Sequence, residues 1–183
     1  MSKNPARSWT CPLPPASLIA AELPGADFAD CHALPDTRPH EPALAGYLSL
    51  MAHTPAWMNG LMALRNRLVQ PFGLKHLGRL DALRPADAAS GYRVAERLGI
   101  FSLVTLSERE LVLEDDDKHL RVRLSLYKDG GDPARPLLKL STVVHVHRGL
   151  GHAYMALVGP VHRRIVPLLL SHWMRQQAGT AHG

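Results

Sequence analysis

Hydrophobic and polar positions change their period along the 183 residues, and the changes mark out the elements. Leu44, Tyr47, Leu48 and Met51 recur at i, i+3, i+4 and i+7, one face of a helix. Thr54-Pro55 restarts the chain: Thr is a good N-cap and Pro fits the first helical position. A second helix is therefore predicted, with Trp57, Leu61, Leu64 and Leu68 as its buried stripe and Pro71 and Gly73 as its stop. Residues 76–96 are polar and carry Pro85 and Gly91, so they read as a long loop. From Gly99 onward the period drops to two. Strands are expected over 100–106, 110–114, 119–127, 137–147 and 153–158, with Leu120, Val122, Leu124 and Leu126 sharing one face. Asp115-Asp116-Asp117, the Gly/Pro/Asp stretch 128–136 and Gly149-Leu150-Gly151 are the turns between them. Gly159-Pro160 opens a closing helix to about residue 177, with Val161, Ile165, Leu168 and Leu169 inward and a kink at Pro167.

Ahead of these elements, Phe28, Cys31 and Ala33 alternate poorly between two turn signals, Pro24-Gly25 and Pro35-Asp36, which reads as a short edge strand. Residues 1–17 are expected to be a flexible arm, 18–177 a single domain, and 178–183 a frayed tail. The order is strand, two inserted helices, an antiparallel meander and a long final helix. That is an α+β, helix-grip layout, in which a curved sheet of about six strands wraps on the C-terminal helix. Such curved sheets commonly leave a gap against the helix, and a gap lined by apolar groups with a few polar ones is a ligand site.

Composition narrows the classes. A 46% hydrophobic and 20% charged chain is ordinary globular material, not a disordered or repetitive one. Arg and Lys exceed acids by 21 to 16, but they occur singly or in pairs, and only 5% of residues are aromatic, so no nucleic-acid surface is expected. No apolar run is long enough to span a bilayer, and the opening residues lack the apolar core of a secretory signal. The two cysteines, Cys11 and Cys31, match no ligand or redox spacing, so a reducing cytoplasm is the expected home and no cofactor is called for.

Several constellations resemble chemistry and fall short of it. His145 and His147 alternate on a strand and can share a metal, but no third ligand follows them, so the pair is expected to look outward from a core face of Leu140, Thr142, Val144 and Val146. The three aspartates lack the Gly and Glu that a calcium loop needs at its sixth and twelfth positions. Gly149-Leu-Gly151 begins like a dinucleotide fingerprint, lacks its third glycine, and has no helix predicted after it. Neither cysteine has a positioned base. Tyr154 on the last predicted strand and His162 in the first turn of the closing helix are more informative. There the helix dipole would keep an imidazole neutral, and a phenol and imidazole facing one cavity can polarise a carbonyl or move a proton. Alternatively both cap the edge of the core with their polar ends wet. Trp57 is either core or a flat wall beside a ring-shaped ligand. Thr142, Tyr154 and His162 are the expected polar ligand contacts, with Trp57 as the apolar wall.

Three blocks, TPAWMNGLMALRNRLVQPFGLK, GIFSLVTLSERELVLEDDDKHLRVRLSLY and STVVHVHRGLGHAYMALVGPVHRRIVPLLL, resemble the bacterial family catalogued as domain of unknown function 2867, over roughly residues 23–174. The resemblance implies a likeness to the START/polyketide-cyclase helix-grip superfamily, and relatives appended to reductase-like NAD(P)-binding domains imply such a protein as a partner. Positions matching the family pattern are Trp57, Arg65, Asn66, Gly73, Leu74 and Lys75, then Glu110, His119, Leu120 and Arg123, then Thr142, Gly151, Tyr154, Pro160 and His162. His147 and His152 stand where Arg or Asn is expected. By strand parity His119 and Arg123 lie on the outer face, with Glu110 as the cross-hairpin partner of the arginine. Three functions are thus in play: binding of a small hydrophobic molecule between sheet and closing helix, a cyclase-, dehydratase- or isomerase-like enzyme using His162 or Tyr154 as acid–base, and an interaction module for a reductase-like protein.

Overall fold

The structure, a computed structural model, describes residues 7–69 and 91–180. Expectations about Pro71, Gly73, Leu74, Lys75 and the first part of the 76–96 loop lie outside the described residues. Seven strands form one antiparallel sheet: β1 (Trp9–Thr10), β2 (Phe28–Pro35), β3 (Arg97–Leu98), β4 (Phe101–Leu106), β5 (Glu110–Asp116), β6 (Leu120–Asp129) and β7 (Leu137–Val146). Their spatial order is β1-β2-β7-β6-β5-β4-β3. The meander from β3 to β7 closes onto β2, and α1 (Ala43–Ala52) and α2 (Ala56–Val69) lie between β2 and β3 in the chain. A 32-residue helix, α3 (Gly149–Thr180), follows β7 and packs against β2 and β7. This is the α+β helix-grip arrangement.

Strand parity sorts the sheet into two faces. Leu111 and Leu113 of β5, Leu126 of β6 and Leu138 and Leu140 of β7 point to one side and meet Tyr47, Leu48 and Met51 of α1 and Val166, Leu169, Leu170 and Trp173 of α3 in one core. The α1 stripe is the predicted one. Ser49 joins the two covering helices, accepting the Trp173 indole N–H at 3.1 Å and an Arg38 N–H at 2.8 Å.

The opposite face has its own, smaller cover, a single 3-10 turn over Leu18–Glu22 that lies across β5, β6 and β7. Glu110 holds it there. Its carboxylate accepts the Leu18 amide at 2.9 Å and the hydroxyls of Ser17 and Ser125. Residues 7–17, expected to be a flexible arm, thus pair an edge strand with β2 and bury Ser17. A segment without period can still be ordered when its polar groups find partners in a distant strand.

Other expectations are corrected. β2 is not an edge strand: β1 flanks it on one side and β7 on the other. The predicted strand at 153–158 is helix, and α3 starts at Gly149 rather than at Gly159-Pro160. Both Pro160 and Pro167 sit inside it, and the helix continues through them. Gly151 explains the start. A Cβ there would lie 2.6 Å from the His119 carbonyl oxygen and 2.7 Å from a Val146 methyl, so only glycine lets the helix begin this close to the β5–β6 turn. The inward stripe of α3 is Val166, Leu169, Leu170 and Trp173, while Val161 and Leu168 are exposed. Likewise α2 buries Met58 and Asn66 and exposes Trp57 and Leu64, a rotation of one residue from the predicted stripe. An all-apolar reading of that helix misses that Arg65 and Asn66 turn inward to hydrogen-bond.

Candidate functional site

On β2, alternation carries Phe28, Asp30, His32 and Leu34 to the helix-covered face and Ala29, Cys31 and Ala33 to the other. Pairing with β7 then sets Asp30 beside Thr142 and His32 beside Leu140, in rows that continue through Leu124 and Leu126 of β6. Two ionisable side chains are thereby placed in an apolar surface. Asp30 and His32 are 6% and 4% exposed at their side chains.

The partner comes from α3. His162 Nδ1 lies 3.0 Å from Asp30 Oδ2, and His32 Nε2 lies 3.8 Å from the same oxygen. Burial opposes ionisation of Asp30, but the His162 hydrogen bond and the adjacent His32 ring outweigh it and hold the carboxyl well below the usual carboxylate range. Asp30 is therefore a carboxylate, which accepts only, so His162 Nδ1 carries the hydrogen. In the neutral ring Nε2 is then left as the proton acceptor. The imidazole is further fixed by the edge-to-face Phe28 ring, with centroids 5.6 Å apart at 89°, and the Arg163 guanidinium lies 4.9 Å from the Phe28 centroid. Around this pair, hydrogen bonding is incomplete: Asp30 Oδ1 and both ring nitrogens of His32 are buried without a hydrogen-bond partner among the described residues.

Tyr154 stands next to this group. Its ring packs with Phe28, Leu120 and Val144, and its hydroxyl accepts from Arg65 Nε of α2 at 3.1 Å. Arg65 in turn donates to Asn66 Oδ1 at 3.1 Å. Of the expected contacts, then, Thr142 and His162 meet at Asp30, and Tyr154 joins them through Phe28. Trp57 stands 44% exposed on α2. His162 is not in the first turn of a helix: it lies well inside α3, beyond the reach of the N-terminal dipole, and the group acting on it is Asp30. Phe28, Cys31 and Ala33 do not share a face of β2, so a reading of the strand from them passes over Asp30 and His32. The legible signal is the alternate trio Phe28, Asp30 and His32, which puts polar groups on one face of a strand.

The remaining candidates take structural places. His119 is in the β5–β6 turn rather than on the outer face of a strand, and it is buried. Its carbonyl accepts the His147 and Arg148 amides ahead of α3. Arg123 bonds Glu114, its register partner, and Glu22 of the 3-10 turn, not Glu110. His145 Nε2 contacts the Glu22 carbonyl at 2.8 Å and His147 Nε2 contacts Asp116 at 2.9 Å, so the two imidazoles serve different partners. Among the described residues no group of three His, Cys, Asp or Glu side chains is arranged to hold a metal. An open depression of about 210 Å³ beyond the end of β2 involves Glu41, Arg109, Lys128 and Asp129. Lys128 there is paired with Asp36 and Asp129 with Lys139. No described helix is long and apolar enough to cross a membrane.

A model of the family described as "Protein of unknown function (DUF2867)" matches residues 22–169, and the chain belongs to that family. No curated protein and no solved structure matches it.

Proposed function

We propose that this member of the DUF2867 family binds a small, mainly apolar molecule bearing one hydrogen-bonding group, held between the β2–β7 surface and α3. The observation that carries this reading is the buried, incompletely bonded set of Asp30 Oδ1 and the His32 nitrogens on an otherwise apolar face. Leaving such groups unmatched costs about 1–3 kcal/mol each, a cost that a ligand hydroxyl or amide would offset. Thr142, Tyr154, His162 and Phe28 are the surrounding contacts, with Arg65 positioning Tyr154.

Native mass spectrometry of the purified chain tests it. The expected result is a non-covalent small-molecule adduct on the wild type that is reduced at least tenfold in Asp30→Asn. Spectra showing only the bare chain, also after incubation with a panel of apolar alcohols and amides, would overturn the reading.

A second reading, catalysis of the cyclase, dehydratase or isomerase kind, is favoured by one specific observation: His162 has the paired titratable partner that an acid–base role needs, Asp30 at 3.0 Å. His162→Gln separates the two. Catalysis requires loss of turnover with ligand affinity nearly retained; pure binding leaves no turnover to lose. The third, an interaction module for a reductase-like NAD(P)-binding protein, draws on the exposed Leu157, Val161 and Leu168 of α3, and co-purification with such a protein decides it.

A further inference from the structure

The two cysteines lie 20 residues apart in the chain and meet in the fold. The Cys11 amide donates to the Cys31 carbonyl at 3.0 Å, continuing the β1–β2 ladder by one residue. That pairing brings the side chains to the same face, and the two sulfurs are 3.3 Å apart. Both are free thiols; Cys11 is half-buried, while Cys31 is 1% exposed and accepts the Ser141 hydroxyl at 3.2 Å. A disulfide needs the sulfurs at about 2.05 Å, so roughly one ångström of approach closes it. The strand that must move is a two-residue edge. Because Cys31 points away from the face that carries Asp30 and His32, this chemistry is independent of the proposed ligand site.

We propose that Cys11 and Cys31 form an oxidative modification site, at which a small hydroperoxide converts the two thiols into an intramolecular disulfide joining the N-terminal edge strand to β2. Accessibility sets the order. The Cys11 thiolate attacks the peroxide, whose O–O bond breaks; Cys11 becomes a sulfenic acid and the leaving alkoxide or hydroxide takes a proton, departing as an alcohol or water. The Cys31 sulfur then attacks Cys11 Sγ. The S–S bond forms, the S–O bond breaks, and the expelled hydroxide leaves as water with the Cys31 proton. The two thiols lose two electrons and the peroxide gains them. Burial pushes the Cys31 thiol up to about 12, which keeps it protonated and unreactive toward peroxide, and it gives up its proton only in the step that expels hydroxide from Cys11.

The full chain treated with hydrogen peroxide provides the test. Expected are a mass loss of about 2 Da, a fall from two alkylatable thiols to none, a Cys11–Cys31 peptide in the non-reduced digest, and a Tm rise of roughly 5–10 °C that dithiothreitol reverses. Cys11→Ser and Cys31→Ala should each abolish the Tm rise. Three outcomes would overturn the proposal: both thiols still alkylatable, Cys11 carried on to sulfinic acid with Cys31 still free, or disulfides that link two chains rather than one.

Discussion

Gly151 and Asp30 show how much a single position can depend on what folds against it. A methyl group at residue 151 would meet the His119 carbonyl oxygen at 2.6 Å, and a backbone atom cannot swing aside as the end of a long side chain can. Gly151→Ala is therefore expected to cost about 1–3 kcal/mol in urea unfolding, although alanine is the better helix former. Gly60→Ala in α2 is the control. A Cβ there meets nothing within 4 Å, so that variant should gain about 0.5–1 kcal/mol. Equal effects at the two positions would show that the close approach is not what selects glycine. The sequence marks both residues as helix-weakening glycines and cannot tell them apart, because the difference lies in a turn some 30 residues upstream.

At the scale of elements, the 3-10 turn over Leu18–Glu22 depends on a strand far along the chain. The Glu110 carboxylate accepts three hydrogen bonds there, two of them from residues 17 and 18. Glu110→Ala leaves the Leu18 amide unmatched and the Ser17 and Ser125 hydroxyls with only their mutual 3.5 Å contact, and should cost about 1–3 kcal/mol while loosening residues 17–22. Hydrogen exchange reads this directly: the Leu18 amide should exchange at an open-chain rate while the α1 amides stay protected. Retained protection at Leu18 would show that Ile19 packing and the Glu22 contacts with Arg121, Arg123 and His145 hold the turn without Glu110. Legibility at this scale follows locality. The periods of α1 and of strands β4 to β7 place these elements where they are found, since each buries a face that its own period displays. Residues 153–158 read as a strand in the sequence because Gly149, Gly151, Gly159 and Pro160 lower the helical signal around them. What overrides that signal is tertiary: Gly151 against His119, and Gly159 beside the Phe28 ring.

For the whole molecule, the contact between β2 and α3 makes stability depend on pH through Asp30. Its folded-state carboxyl lies below the ordinary value of 3.8, so the stabilisation is present above that value and is lost as pH falls beneath it. His162 and His32 are the titratable groups that face it. Wild type should exceed Asp30→Asn in unfolding free energy by about 1–3 kcal/mol near pH 7, with the gap narrowing below about pH 4. A gap unchanged from pH 7 to pH 3 would show that the charge of Asp30 contributes nothing.

The amino-acid order by itself determined the helix-grip class, the amphipathic face of α1, and the inward parity of Leu120, Leu124, Leu126, Leu140 and Thr142. These follow from periods of 3.6 and 2, which are local and visible in a dozen residues. Only the tertiary structure decided that His162 answers to Asp30 across 132 residues, that Tyr154 belongs to a helix held by Arg65, and that Cys11 touches Cys31. A polar side chain gains by finding a partner wherever the fold brings one within about 3 Å, and that choice leaves no periodic trace in the chain.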